Sequence, residues 1–399
     1  MSADFKEKYS FLSEKFWQDF ILKNYKKPLD KTLLSLSKKA DIDSNILAHQ
    51  LKARQVIETK IPSWKEFNNL IFPKKINLEQ CSSELTAQYK SRITKGNLCI
   101  DLTGGLGVDS FFISQSFKHT IHCEKDQELQ FIADKNFTTL EAQIKSVYTD
   151  GITYLKGNDK VYDLIYIDPS RRNENNNKLV QINEYTPNIL EHLDVLMGSG
   201  KHILIKTSPL LDIKQVIGQL PQLKEIHILA INNECKELLF LVDTQTLPKK
   251  TSVICKDLKK DYSFTFEYEQ ETKSVIKLSQ PLNYLYEPNV SILKAGAFKS
   301  IANQFNLFKL HKNSHLYTSD KHIHSFPGRC FEIRSIASLN KKEILPLLES
   351  NKANITRRNF PLSVNDIRKK LGVSEGGNDY LFATTLKNEE KKILLCKKY

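Results

Sequence analysis

From Phe5 to about Arg92 the apolar residues recur at three- and four-residue spacing, as in Phe11, Phe16, Phe20 and Leu22, or Leu33, Leu34 and Leu36. That period predicts short amphipathic helices. Pro28, Pro62 and Pro73 divide the stretch into pieces of helical length, and Ser82-Ser83-Glu84 opens a last helix toward Arg92. After Gly96 the texture changes to short apolar runs alternating with helical patterns, the mark of a parallel sheet with crossover helices. The runs predict seven strands in a doubly wound order, at 98–102, 120–123, 146–148, 164–167, 202–205, 226–230 and 238–242. Helices are predicted over 108–117, 127–140, 185–197 and 213–220. Beyond Thr246, strand-like stretches at 262–268 and 275–278 and a helix at 294–305 predict a small α+β unit. Strands at 331–336, 380–383 and 392–396, with helices at 341–348 and 364–371, predict another.

The resulting division is a helical unit over 1–90, an α/β domain over 91–245 and two α+β regions over 246–325 and 326–399. No segment approaches the roughly 20 uninterrupted apolar residues that a membrane helix requires. The N-terminus carries Asp4 and Glu7 where a secretory signal has a basic end and an apolar core, which predicts a cytoplasmic protein without a membrane partner. Cys81, Cys99, Cys123, Cys235, Cys255, Cys330 and Cys396 include no C-x-x-C pair. Neither a disulfide framework nor a zinc site is expected. The net charge is +13, and residues 246–399 hold 27 Lys and Arg against 15 Asp and Glu, whereas 91–245 are acidic on balance.

The chemistry concentrates in the α/β domain. Asp101-Leu102-Thr103-Gly104-Gly105-Leu106-Gly107 follows a predicted strand and opens a predicted helix, where glycines let the backbone approach a nucleotide-like ligand. Glu124 ends the second strand, placed to accept both hydroxyl hydrogens of a ribose, and is followed by Lys125. Asp150-Gly151 closes the third strand and Asp168-Pro169-Ser170-Arg171-Arg172 the fourth. Four acidic strand ends therefore share the edge at which open α/β sheets bind ligands.

In this order and spacing the stretch 91–245 resembles the class I S-adenosylmethionine-dependent methyltransferases, with their seven-stranded Rossmann-like sheet. The resemblance implies that Asp101, Thr103, Gly104, Gly105, Gly107, Glu124, Lys125, Asp150 and Gly151 bind S-adenosylmethionine, and that Asp168, Pro169, Ser170, Arg171 and Arg172 place the acceptor. Thr103 departs from the family by replacing its first glycine, which would narrow the space beside the methionine moiety. The loop after Asp168 lacks the aromatic that amino-group methyltransferases stack on a target base. It also has no thiol of the kind pyrimidine-C5 enzymes use, since the next strand end reads Lys206-Thr207-Ser208-Pro209.

The fuller wording through Ser110, with Tyr286-Glu287-Pro288-Asn289, Lys294-Ala295-Gly296-Ala297-Phe298, Phe326-Pro327-Gly328-Arg329 and Arg358-Asn359-Phe360-Pro361, resembles a bacterial subgroup with C-terminal ferredoxin-like and THUMP-like modules. That resemblance implies an RNA-modifying enzyme whose RNA is held by 246–399. The basic excess there agrees, because Lys and Arg contacts to phosphates give sequence-independent affinity and interleaved aromatics stack on unpaired bases. Arg171 and Arg172 are candidates to clamp a phosphate or carboxylate of the acceptor, and Lys206 and Ser208 adjoin the same pocket. Ser83, Glu84, Thr86 and Tyr89 are candidates for a lid helix. His311, His315, His322 and His324 lack the companions of a metal site.

Two other readings fit the same residues: a methyltransferase of small molecules or proteins, indifferent to RNA, and an RNA-binding protein whose methyltransferase fold has lost turnover. A nicotinamide-dependent dehydrogenase fits less well, since the loop lacks the G-x-G-x-x-G spacing.

Overall fold

The computed structural model describes residues 2–34, 43–170, 181–260 and 262–399. Fully apolar runs become the central strands. β1 (Gly96–Asp101), β4 (Tyr162–Ile167) and β5 (Gly200–Thr207) bury Cys99, Ile100, Leu164, Ile165, Ile203 and Leu204, as expected of strands covered on both faces. β2 (Phe117–Glu124) and β3 (Ile144–Tyr148) extend the sheet on the other side of β1, all parallel. The register sets Asp101 beside His122 and Tyr166, and Glu124 beside Tyr148, so the acidic ends of these strands lie along one edge.

The chain continues through β6 (Leu223–Ile231), β7 (Glu234–Asp243), β8 (Ser252–Asp257) and β9 (Tyr262–Glu267). The order is β3-β2-β1-β4-β5-β7-β6-β8-β9, nine strands rather than the seven predicted. The hydrophobic pattern does not predict β8, because its apolar face is only Val253 and Cys255, and Asp257, an acid, is fully buried at its end.

Residues 1–223 with 239–248 form one compact unit, and 224–238 with 249–399 a second. In the first, Leu47, Leu51, Ile57, Trp64, Phe72 and Ala87 share a core with Leu106, Val108, Phe112, Leu129 and Ile132. The helices Ser44–Lys60 and Glu84–Ser91 are therefore packed onto the segments that follow β1 and β2. The predicted helix at 185–197 is shorter, spanning Leu193–Ser199. A cis Thr186–Pro187 bond lies in the part that is not helical.

The second unit carries a seven-stranded sheet in the order β11-β12-β10-β13-β16-β15-β14. Its strands are β10 (Tyr284–Pro288), β11 (Phe308–Lys309), β12 (Tyr317–Ser319), β13 (Gly328–Ala337), β14 (Asn354–Arg358), β15 (Asp379–Thr385) and β16 (Lys391–Lys398). Alternation assigns each face its own core. Leu381, Ala383, Ile393 and Leu395 pack with Ile367 and Leu371, while Phe382, Leu394 and Cys396 pack with Leu285, Leu310 and Phe331. The predicted strand at 275–278 does not form. Val275 is 81% exposed, and only Leu278 makes an isolated bridge, to Lys309.

Candidate active site

A cleft of about 280 Å³ opens along the carboxyl edge of β1 to β5. It is lined by Asp101, Thr103, Gly104, Gly105, Gly107, Glu124, Lys125, Asp150, Gly151, Asp168 and Ser170. Pro169 is described but does not line it, and Arg171 and Arg172 lie outside the described residues. The wall opposite the strand ends comes from Asn77, Gln80, Cys81 and Ser82. Of the residues predicted for a lid, Ser83 caps the helix Glu84–Ser91, and Glu84 accepts from the Ser63 amide at 2.8 Å.

The glycine loop is shaped by what surrounds it. A Cβ on Gly104 would sit 2.2 Å from the His122 ring, and one on Gly151 would sit 2.3 Å from the Leu102 carbonyl oxygen. Gly107, at φ +82°, starts the helix Val108–Ser114 in the left-handed region that favours glycine. His122 is fully buried, donates through Nε2 to Gly105 O (3.3 Å) and meets Ser146 Oγ through Nδ1 (3.0 Å), and burial pushes it down to about 4. It is a neutral strut beneath the loop.

Glu124 is oriented by two backbone donors, the amides of Gly105 (2.8 Å to Oε2) and Asp126 (2.7 Å to Oε1). Each carboxylate oxygen retains a further lone pair for a diol. Asp150 caps the next helix through the Thr153 amide at 2.9 Å. Asp101 is 2% exposed and accepts from Ser110 Oγ (2.5 Å) and the Thr103 amide (3.0 Å). Burial pushes it up to about 7, against those hydrogen bonds and with Asp109 and Asp168 adding to the rise. Among the described residues no cation pairs with it.

Thr103, the departure from the glycine pattern, has a defined task. Its Oγ1 accepts from the Asp168 amide at 2.7 Å and reaches Asp101 Oδ1 at 3.5 Å, so one hydroxyl joins the end of β1 to the end of β4. Beyond Asp168, Ser170 and Thr186 exchange backbone hydrogen bonds of 2.7 and 3.0 Å. Those bonds join the chain on the two sides of residues 171–185.

The structure adds a buried polar network that the sequence did not disclose. Asp109 forms an ion pair with Lys90 Nζ (3.0 Å) and accepts from Ser82 Oγ (2.7 Å) and Tyr166 OH (2.7 Å), and Lys206 Nζ lies 4.0 Å away. Burial opposes ionisation of Asp109, but Lys90 and then Lys206 outweigh it and hold the carboxyl below its usual range. Lys206 also donates to Asp168 Oδ2. The sequence places Lys206 beside the acceptor pocket, but no motif spans the 18 residues between Lys90 and Asp109. The only sequence signal was a lysine at an otherwise apolar strand end. The four histidines are engaged elsewhere: His311 with Glu389 and Asn359, His315 stacked on Phe298, and His322 against His324 and Tyr399. Among the described residues no helix is long and apolar enough to cross a membrane, and no group of three or more potential ligands could hold a metal ion.

Comparison with known proteins supplies a family. A model of a ferredoxin-like domain matches residues 284–327, and one described as THUMP domain-like matches 328–398. A relative named as an uncharacterized RNA methyltransferase of Mycoplasma mobile is 26% identical over 195 residues, 44% of this chain. The chain spans about half the length of that relative, 51%. The crystal structure of a protein from Porphyromonas gingivalis W83, named a "putative methyltransferase", superimposes with a TM-score of 0.84 and 30% identity, over 96% of this chain and 97% of the other. With likeness of that extent in sequence and in fold, the chain belongs to the methyltransferase family that the Porphyromonas protein represents.

Proposed function

We propose that the protein transfers a methyl group from S-adenosylmethionine to RNA. The observation that carries the reading is the convergence of Asp101, Glu124, Asp150 and Asp168 from four successive strand ends on one glycine-lined cleft. The cleft suits the donor. Asp101, buried without a cation, answers the donor's ammonium; Glu124, held by two amides, answers its ribose; and Asp150 with Gly151 adjoins the adenine. Lys125 borders the same wall. When bound, the donor supplies an activated methyl group whose sulfur leaves as a neutral thioether.

The remaining work falls to the chain's own residues. The acceptor's lone pair forms the new bond to carbon as the sulfur–carbon bond breaks, and the acceptor then releases a proton. Little acid–base machinery is needed, so placement dominates, and in-line positioning supplies up to about 7–11 kcal/mol in favourable cases. Asp168 is the placing group, its carboxylate held by Lys206 and its amide by Thr103. Pro169, Ser170, Arg171 and Arg172 complete the acceptor loop in this proposal. RNA is assigned as the acceptor from the THUMP domain-like match and from the basic excess of residues 246–399.

The test is incorporation of labelled methyl into total RNA from a strain lacking the gene, with Asp168→Ala as control. Label in one RNA species, lost with the control, is the expected result. No label in any RNA, with donor binding intact by calorimetry, would overturn the RNA assignment and leave the donor site standing.

A further inference from the structure

Three of the sequence motifs in the second unit have no part in the cleft, yet they meet at one carboxylate. Glu287, on β10, is 3% exposed. Its Oε2 accepts from Arg329 Nε at 2.7 Å and also from Arg329 Nη2. Its Oε1 accepts from Arg358 Nε (3.1 Å) and Nη2 (2.9 Å). Arg329 opens β13 beside Glu287 in register, and Arg358 ends β14 at the far edge of the same sheet.

Each guanidinium spends one edge on the carboxylate. Neither is buried: the side chains are 32% and 38% exposed. A guanidinium has five N–H donors in a planar fork, and among the described residues the bonds to Glu287 use only Nε and Nη2 of each, leaving the Nη1 edge turned away from the carboxylate. The Arg329 guanidinium also sits 5.4 Å over the Phe331 ring, which fixes its plane. One buried negative charge thus holds two partly exposed positive ones, leaving a net single positive charge with oriented donors.

A purely structural ion pair needs one partner and gains nothing from presenting a second cation to water. Two forks pre-oriented by a shared carboxylate match the tetrahedral oxygens of a phosphate, for which arginine geometry is bidentate. Within electrostatic reach of Arg358, His315 stacks on Phe298 with centroids 3.7 Å apart, and Lys309 Nζ lies 5.2 Å over the same ring. Burial, with the charges of Lys309 and Arg358 adding, pushes His315 down to about 4. The ring is therefore neutral and adds no competing demand for a counterion.

The geometry points to Arg329 and Arg358, held by Glu287, as a clamp for a backbone phosphate of the RNA substrate. This rests on the RNA assignment above. The test measures binding of a fluorescein-labelled single-stranded RNA of about 30 nucleotides, and of total tRNA from the deletion strain, to the full chain by anisotropy. Arg329→Gln/Arg358→Gln weakens binding about 10- to 30-fold, as expected for charge-assisted bonds to phosphate. It also reduces the magnitude of the slope of log K against log salt by about 0.7 for one lost single-strand contact. Arg329→Lys/Arg358→Lys, which keeps the charge and removes the forks, recovers only part of the loss.

Glu287→Gln separates orientation from charge. It lowers the melting temperature, because two arginines lose their counterion, and it weakens RNA binding less than the double glutamine variant without reducing the salt slope, because both positive charges remain while the forks are no longer held. Donor affinity, read by calorimetry, stays at the wild-type value in all variants. If the wild type binds RNA and the double glutamine variant binds equally well with a lowered melting temperature, the triad is only structural and the clamp is overturned. If the wild type binds neither RNA, the RNA assignment itself fails and the clamp with it.

Discussion

Two carboxylates in this protein are nearly equally buried and are treated in opposite ways. Asp101 in the cleft is 2% exposed, pairs with no cation among the described residues and is pushed up to about 7. Glu287 in the second unit is 3% exposed and sits between two guanidiniums. A buried carboxylate left without a counterion costs stability, and a fold retains one where a cationic ligand completes it. A carboxylate satisfied twice over instead fixes the direction of its cations. On this comparison the first site is built to receive positive charge and the second to present it.

The contrast breaks most sharply at Asp101. Asp101→Asn removes the charge while keeping the shape, and donor affinity should fall by about 100-fold or more, the usual loss when one partner of a buried charge pair is removed. The same change should stabilise the free protein at neutral pH. Because burial raises Asp101 from 3.8 to about 7, its contribution to stability is fully present below about 4 and is lost as pH rises through 7. The variant's melting temperature should therefore match the wild type near pH 4 and exceed it by a few degrees at pH 8. A variant that binds donor normally, or that melts lower at pH 8, would remove Asp101 from the role of an unpaired acid awaiting a cation.

The second prediction compares ion pairs. Lys90 is fully buried against Asp109, whereas Arg358 is 38% exposed beside Glu287. Lys90→Met strands a buried carboxylate and should cost about 3–5 kcal/mol in urea denaturation. Arg358→Gln leaves Arg329 in place at a solvated site and should cost about 1 kcal/mol or less. Equal losses would mean that the second triad is as much a part of the core as the first pair.

How far the sequence reached follows the same division. The strands β1, β4 and β5 were legible because runs such as Leu164-Ile165-Tyr166-Ile167 are apolar on both faces. Asp101 and Asp168 were legible because each closes such a run, Glu124 and Asp150 because they stand at the next strand ends on the same edge, and the cleft brings all four together. What escaped was built from polar residues far apart in the chain. Lys90 and Asp109 sit on separate helices, and Glu287, Arg329 and Arg358 on three strands. Periodicity reports which side chains leave water, and a buried lysine or glutamate carries no period of its own. β8 failed for a related reason, its buried end being Asp257, which accepts from Asn289 Nδ2 at 3.0 Å and from the Asn233 amide at 2.8 Å.

A pH series separates the two sites at smaller cost. With the free-protein value of Asp101 at about 7, donor affinity should weaken about tenfold for each pH unit below 7 and level off above it, because only the ionised carboxylate attracts the donor's ammonium. Asp101→Asn should abolish that slope. Salt should have the reverse distribution, weakening RNA binding strongly and donor binding little, since the cleft acid is buried and the clamp is partly solvated.

The smallest effect tests the hydroxyl that ties the donor loop to the acceptor loop. Thr103→Val keeps the side-chain shape and removes the group that accepts from the Asp168 amide at 2.7 Å. That amide would then lack a protein partner, and Asp168 would be placed by Lys206 alone. Since positioning supplies most of the rate in methyl transfer, kcat should fall about tenfold. Donor affinity should change by less than about threefold, because the Asp101 carboxylate keeps its bonds from Ser110 and the Thr103 backbone amide. Thr103→Ser, which restores the hydroxyl with one methyl fewer, should recover most of the rate. If Thr103→Val lost donor binding and left kcat intact, the residue would belong to the donor pocket alone, as its place in the glycine loop first suggests, and the two loops would be independent.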